Sequence, residues 1–330
     1  MSLSILRAGL LTTIQDLGRV GYQREGIVVG GAMDAVALRL ANALVGNPDS
    51  AAGLEITLLG PEIRFDADHI IAVTGADLSP TIRGERVRSY RPFLVRQGTV
   101  LKFGAARAGC RAYLAVAGSF TLPRIMGSHA TYVRAQLGGL HGAALQAGDG
   151  IPCLGPPPGK LLTELTARLL NKSWVEASWS IAPPPVAGNP VIRVTQGPEY
   201  ELFPAASQAA LWSSAFTVSA ASDRMGYRLL GPPLPLVQAQ ELLSSAVTFG
   251  TVQVPPDGNP IVLMADRQTT GGYPRIAQVI SADFSRLAQV ALGKSITFQE
   301  VSLPEAHALY LGQQHTLQQL LHTLRLKTCS

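Results

Sequence analysis

The segment at residues 12–23, T-T-I-Q-D-L-G-R-V-G-Y-Q, recurs about 200 residues later at 216–228 as F-T-V-S-A-A-S-D-R-M-G-Y-R, with one residue inserted. Arg19, Gly21 and Tyr22 thereby align with Arg224, Gly226 and Tyr227. Two further matches follow in the same order. Ala76-Asp77 after the apolar run 70–73 answers Ala265-Asp266 after 261–264, and G-T-V-L-K-F at 98–103 answers G-K-S-I-T-F at 293–298. Ordered self-similarity at one offset is the mark of a duplicated unit, so the chain is expected to fold as two related halves.

The repeated unit reads as β. Short apolar runs at 70–74, 111–116, 191–195, 261–264 and 275–280 are separated by turn residues, drawn from 33 Gly and 23 Pro, which favours barrels or sandwiches. A few helices interrupt them. Met33, Val36, Ala37, Leu40 and Leu44 share one face of a helix expected at about 32–45, stopped by Gly46-Asn47-Pro48. Others are expected from 282 or 283 to 292, over 161–171, and from about Pro304 onward. The helix at 161–171 lies between Gly155-Pro156-Pro157-Pro158-Gly159 and Pro183-Pro184-Pro185, which marks a connection and sets the boundary near residue 188. The domains are then 1–188 and 189–330.

Composition removes several functional classes. Hydrophobic residues make up 47% of the 330 and charged residues 15%, so the chain buries a large core and disorder is not expected. Net charge is +5, yet no Lys/Arg run or basic stripe interleaved with aromatics is present, which speaks against nucleic acid. No apolar stretch has the roughly 18–20 residues that span a bilayer, and M-S-L-S-I-L-R is not a secretory leader. A cytoplasmic location is expected, in keeping with only three widely spaced cysteines, Cys110, Cys153 and Cys329. The six histidines show no metal-ligand spacing. Gly293-Lys294-Ser295 precedes a strand, whereas a phosphate loop opens a helix.

The polar chemistry collects after the strand at 261–264. Asp266, Arg267, Gln268, Thr269, Thr270, Gly271, Gly272 and Tyr273 follow it directly. Two readings are open: a tight turn with positive φ at the glycines, or a set of groups delivered to a pocket. The counterpart after 70–74 continues Asp77-Leu78-Ser79-Pro80, without Arg-Gln-Thr-Thr-Gly-Gly. Duplication therefore accounts for the strand and the aspartate, and the rest is particular to the second half. Gln268 can pair with a planar amide while Asp266 takes its N–H. Arg224, Arg228 and Arg267 offer forked donors to an anion, joined by the Gly271 and Gly272 amides. Asp266, Gln268 and Arg267 are the candidate catalytic residues. Thr269, Thr270, Gly271, Gly272, Tyr273, Asp223, Arg224, Arg228 and Asp34 are candidates for substrate binding, although Asp34 reads equally well as a first-turn carboxylate favoured by a helix dipole. The set suits a small amide whose carbonyl oxygen gains charge or is phosphorylated.

The runs L-T-T-I-Q-D-L-G-R-x-G, G-G-A-M-D, L-A-N-A-L-V-G-N, S-D-R-M-G-Y-R-L-x-G-P and A-D-R-Q-T-T-G-G-Y-P resemble the biotin-dependent carboxyltransferase family, also called allophanate hydrolase subunit 2. Within it the likeness is greatest to the group of 5-oxoprolinase C-subunits. The resemblance covers about 5–301. It implies two cyclophilin-like β-barrels, and a B-subunit of related fold with an A-subunit, partners in ATP-dependent opening of 5-oxoproline to L-glutamate. The implied cofactor is ATP with Mg, with the component that binds it left open. No covalent biotin is expected here, since no lysine is flanked by methionines. Relatives imply two alternatives: carboxyl transfer from biotin to urea or a similar amide, and a regulatory module that antagonises a kinase inhibitor. One departure stands out. The family commonly has asparagine before the arginine of the S-D-R motif, where this chain has Asp223.

Overall fold

The computed structural model describes residues 1–185, 188–238 and 242–328; Cys329 lies outside them. By contact density the chain divides into two compact units that interleave in sequence. Among the described residues, one draws on 1–18, 34–185 and 316–328, the other on 19–33, 188–238 and 242–315.

Twelve strands build the first unit: β1 (Ser2–Arg7), β2 (Leu11–Gln15), β3 (Gly53–Thr57), β4 (Glu62–Phe65), β5 (His69–Asp77), β6 (Thr81–Ile82), β7 (Glu85–Arg86), β8 (Pro92–Val95), β9 (Val100–Lys102), β10 (Ala108–Val116), β11 (Gly150–Pro152) and β12 (Trp174–Glu176). They form two six-stranded sheets, β11-β1-β4-β9-β6-β7 and β12-β8-β5-β10-β3-β2. Leu3 and Ile5 of β1 and Ile63 and Phe65 of β4 alternate inward, as a strand with one wet face must. They share one core with Val73, Phe93 and Leu114 of the other sheet. β5 is buried along Ile70, Ile71, Ala72 and Val73 without alternation because α1 (Ala35–Leu44) lies against it, Thr74 Oγ1 donating to Ala37 O at 2.7 Å. α1 begins three residues later than its apolar face predicts. Asp34 is its cap, with Oδ1 accepting from Ala37 N at 3.0 Å. α2 (Lys160–Leu169) buries Leu161, Leu165 and Leu169 on one face.

Cys110 and Cys153 are free and buried. Cys153 Sγ lies 3.6 Å from His69 Nε2. Burial pushes the thiol up to about 11 and the imidazole down, so both stay neutral and the pair is not an activated nucleophile.

In the second unit β13 (Val191–Gln196), α3 (Ala205–Ser213), β14 (Ala215–Val218), β15 (Gly226–Leu230), β16 (Ser245–Ala246), β17 (Thr251–Gln253), β18 (Ile261–Leu263), β19 (Thr270–Gly271), β20 (Arg275–Val279), α4 (Phe284–Ala288) and β21 (Ser295–Glu300) follow in order. Seven of these strands close a barrel, β13-β20-β17-β18-β15-β14-β21, sealed by the parallel pair β13 and β21. Ile192, Val194, Phe216, Val262, Ile276, Ile296 and Phe298 fill it. The chain is thus mainly β, with a few helices. α4 stops short of residue 292, and Val290 N turns to Leu287 O at 3.0 Å in a tighter final turn. The buried Tyr227 hydroxyl reaches Val290 O at 3.2 Å. α5 (Leu303–Thr328) follows the barrel, with Ala306 packed on Ile280, Ala282 and Val301. No helix among the described residues is long and apolar enough to cross a membrane.

Glu199 pins the start of β20, accepting from Arg275 Nε at 2.8 Å, Nη2 at 2.5 Å and the backbone N at 2.9 Å. The Arg275 guanidinium holds the Glu199 carboxyl below the ordinary glutamate value, against a smaller opposing effect of burial. A carboxyl lowered by folding stabilises the fold above its unfolded pKa and loses that contribution as pH falls through the folded value. Denaturant titrations between neutral pH and the region below the ordinary glutamate pKa should therefore show stability falling more steeply in the wild type than in Glu199→Gln. Equal slopes would contradict this account of the pair.

Candidate functional site

Strand β18 ends where the sequence places its polar groups, and the first of them is fastened down. Arg224 meets Asp266 in a two-pronged ion pair, Nε to Oδ2 at 2.9 Å and Nη2 to Oδ1 at 2.9 Å, with both side chains more than nine-tenths buried. Arg224 Nη2 also donates to Gly31 O at 2.7 Å, and Asp266 N to Arg224 O at 2.8 Å. A Cβ at Gly30 would stand 3.5 Å from Asp266 Oδ1 and 3.7 Å from Nη1 of the fully buried Arg19. Gly30 thus lies beside both Asp266 and Arg19, the residue that the repeat aligns with Arg224. With both oxygens on Arg224, Asp266 is an anchor for its segment, with further lone pairs on each oxygen.

Asp223 is exposed and closes a turn, Oδ1 accepting from Met225 N at 2.8 Å and Gly226 N at 3.2 Å. An asparagine oxygen would accept the same bonds, so the turn itself does not distinguish the two residues. Asp34 belongs to the first unit, where it caps α1 and its backbone N donates to Tyr113 Oη at 2.8 Å.

Neither Gly271 nor Gly272 has positive φ, so they form no anion nest and no left-handed turn. Thr270 and Gly271 pair with Ala246 and Ser245 as a two-stranded ribbon. A Cβ at Gly271 would lie 2.5 Å from Nε2 of the buried Gln253 side chain, which would have to shift to admit it. Thr269 contributes its carbonyl to Val247 N at 3.1 Å. Gln268 and Thr270 point to solvent. Tyr273 and Arg228 come together with Asp257 and Asn259 around a cavity of about 320 Å³.

Arg267 faces elsewhere. It lines a cavity of about 620 Å³ with residues that sequence reasoning did not select: Phe249, Gln278, Phe284, His307 and Tyr310. They come from four separate stretches of chain, and no motif joins them. Gln278 is the scaffold of this wall. Its Nε2 donates to Phe249 O at 2.8 Å and Val279 O at 3.1 Å, while Oε1 accepts from Thr251 Oγ1 at 2.9 Å and Thr248 Oγ1 at 3.2 Å. Arg267 Nη1 donates to Met264 O at 3.1 Å, and its Nε is shielded without a partner. Burial pushes the guanidinium down to about 10, against the opposing charge of Asp266. It stays protonated at neutral pH. Among the described residues no group of three or more His, Cys, Asp and Glu is placed to hold a metal ion.

Comparison with known proteins agrees with this architecture. The model of the carboxyltransferase domain, subdomain A and B, matches residues 25–300. Proteins named as the C-subunit of 5-oxoprolinase, from Haemophilus influenzae and Escherichia coli, are each 42% identical over 318 residues, which is 96% of this chain and 97% of theirs. The crystal structure of the K. lactis urea amidolyase superposes with a TM-score of 0.84 at 28% identity, over 96% of this chain and 20% of that enzyme. The match extends over both halves of the repeat and includes the segment anchored by Asp266, and the chain belongs to the carboxyltransferase domain, subdomain A and B, family.

Proposed function

We propose that this chain is the C-subunit of an ATP-dependent 5-oxoprolinase, acting with a B-subunit of related fold and an A-subunit to open the 5-oxoproline lactam to L-glutamate. The observation that supports this reading over a urea-directed carboxyltransferase is mutual coverage. The chain matches 5-oxoprolinase subunits end to end, at 97% of their length, but spans one fifth of the urea amidolyase. In this reading most of the chemistry belongs to the partners. The geometry is in keeping with that division. Asp266 and Arg224 are committed to one another, while Gln268, Thr270 and Tyr273 are presented outward on a segment that those two residues hold in place. In this reading the ribbon presents an amide partner, Gln268, to a substrate held within the complex. ATP with Mg is a reactant of the assembled complex.

The test is to coexpress the chain with its neighbouring partner proteins and follow ATP-dependent release of glutamate from 5-oxoproline. Activity is expected with all three and is lost when this chain is omitted. An inactive complete complex, or full activity without this chain, would overturn the proposal; carboxylation of urea by a carboxybiotin donor would establish the carboxyltransferase reading in its place.

A further inference from the structure

We propose that the cavity walled by Arg267, Phe249 and Phe284 binds a small monocarboxylate with a compact apolar body, the Arg267 guanidinium taking its charge. The cation comes first in the argument. Of the five N–H donors of Arg267, one is engaged among the described residues, by Met264 O. Its sequence neighbour Asp266 acts on it only through its charge, since both carboxylate oxygens are bonded to Arg224. No acidic side chain lines the cavity among the described residues. Arg267 is half-buried with its Nε shielded and unbonded, and an anion arriving with the planar fork that matches it supplies the missing acceptor. The downward displacement of the Arg267 pKa by burial is the cost of that shielding seen from the proton.

The rest of the wall sets the body of the ligand. Phe249 and Phe284 pack in a tilted arrangement with ring centroids 4.5 Å apart and an interplanar angle of 45°, beside Val279 and Ile280. Rings and branched aliphatics accept a small hydrocarbon or lactam ring and gain nothing from a second charge. Arg267 is the one guanidinium in the lining among the described residues, and its planar fork matches a single carboxylate, with His307 and Tyr310 as further polar groups of the wall. Thr195 and Ser281 add hydroxyls at the rim that can orient a polar atom on the ring. The volume of about 620 Å³ falls within the roughly 300–1,000 Å³ of small-molecule sites. 5-Oxoprolinate is one member of this class, and the binding inference does not require that it be the physiological ligand.

The experiment is a calorimetric titration of the full-length chain with 5-oxoprolinate, cyclopentanecarboxylate and the neutral 5-oxoprolinamide, on wild type, Arg267→Met and Arg267→Lys. Both carboxylates should bind the wild type, and the carboxamide should bind at least about tenfold more weakly, the scale of one lost charge-assisted contact. Arg267→Met should lose carboxylate binding by a similar or larger factor, with Arg267→Lys between. The comparison of carboxylate with carboxamide on the wild type needs no variant and stands even where a substitution impairs folding. Equal binding of carboxylate and carboxamide, no binding of either carboxylate, or unchanged binding by a folded Arg267→Met would overturn the proposal. Parallel glutamate-release assays separate the two readings. Carboxylate binding in an inactive complete complex sinks only the proposed function, whereas an active complex whose chain discriminates no carboxylate sinks only this inference.

Discussion

Asp266→Ala should lower the unfolding free energy of the second unit by about 3–5 kcal/mol, the scale for removing one member of a buried ion pair. The substitution leaves Arg224 at 7% side-chain exposure without the carboxylate that takes its Nε and Nη2. The backbone bond from residue 266 N to Arg224 O survives the substitution, but the arginine that also holds Gly31 O loses its carboxylate partner. The double variant Arg224→Met/Asp266→Leu should recover most of the loss, since two apolar side chains need no partner. Urea unfolding of the two single variants and the double variant measures the cycle. A loss near zero in Asp266→Ala, or a double variant no better than the singles, would remove the ion pair as anchor. This outcome also bears on catalysis. Asp266→Asn is the natural substitution to make for a catalytic aspartate, and reduced turnover in it would be ambiguous without the stability measurement beside it. Gln268→Ala is the cleaner probe, because Gln268 is exposed and its loss leaves the anchor intact.

The repeat made the scaffold readable and the cavity unreadable, for the same reason. Similarity between halves preserves what both need, so the strand followed by aspartate at Asp77 and Asp266 and the arginines Arg19 and Arg224 stand out in sequence. Even so, shared residues diverged in setting: Tyr227 is buried with its hydroxyl on a carbonyl, while Tyr22 is exposed. The pairing of Arg224 with Asp266 bridges 42 positions and leaves no local pattern. Phe249, Gln278, Phe284 and Tyr310 have the apolar or amphipathic character of ordinary strand and helix positions, and only closure of the barrel brings them to Arg267. α3 escaped periodicity because Ser207 and Leu211 are its only buried residues, too few to mark a face. The Gly271-Gly272 pair was legible as special but not for backbone chirality: Gly271 faces the Gln253 side chain and Gly272 the Leu242 carbonyl.

Gly75 marks where the two copies part, and Gly75→Ala should cost the first unit about 2–5 kcal/mol, adding a left-handed backbone penalty to overpacking. Gly75 has φ +79, and a Cβ there would stand 2.3 Å from Arg111 O and 3.3 Å from Ala112 Cα. Both neighbours are backbone of β10, so neither can swing away as a side chain would. The pairing of β5 with β10 shifts register between Ala108 and Ala112 at this point, and Gly75 N turns out of the ladder to Tyr90 Oη at 2.9 Å. Two residues on, Asp77 meets Arg86 Nη2 at 2.6 Å on the surface, its side chain 30% exposed. The second copy has Met264 at the equivalent position, with N bonded to Met225 O at 2.9 Å, and its aspartate is carried inward to Arg224. One glycine with its bulge therefore sends the first aspartate to an exposed pair, while an ordinary strand residue delivers the second to a buried one. Hydrogen exchange on Gly75→Ala should show loss of protection concentrated in the β5 and β10 amides, with urea unfolding giving the free-energy loss. Retained protection with a loss below about 1 kcal/mol would mean that β10 can yield, and that the divergence of the two copies has another origin.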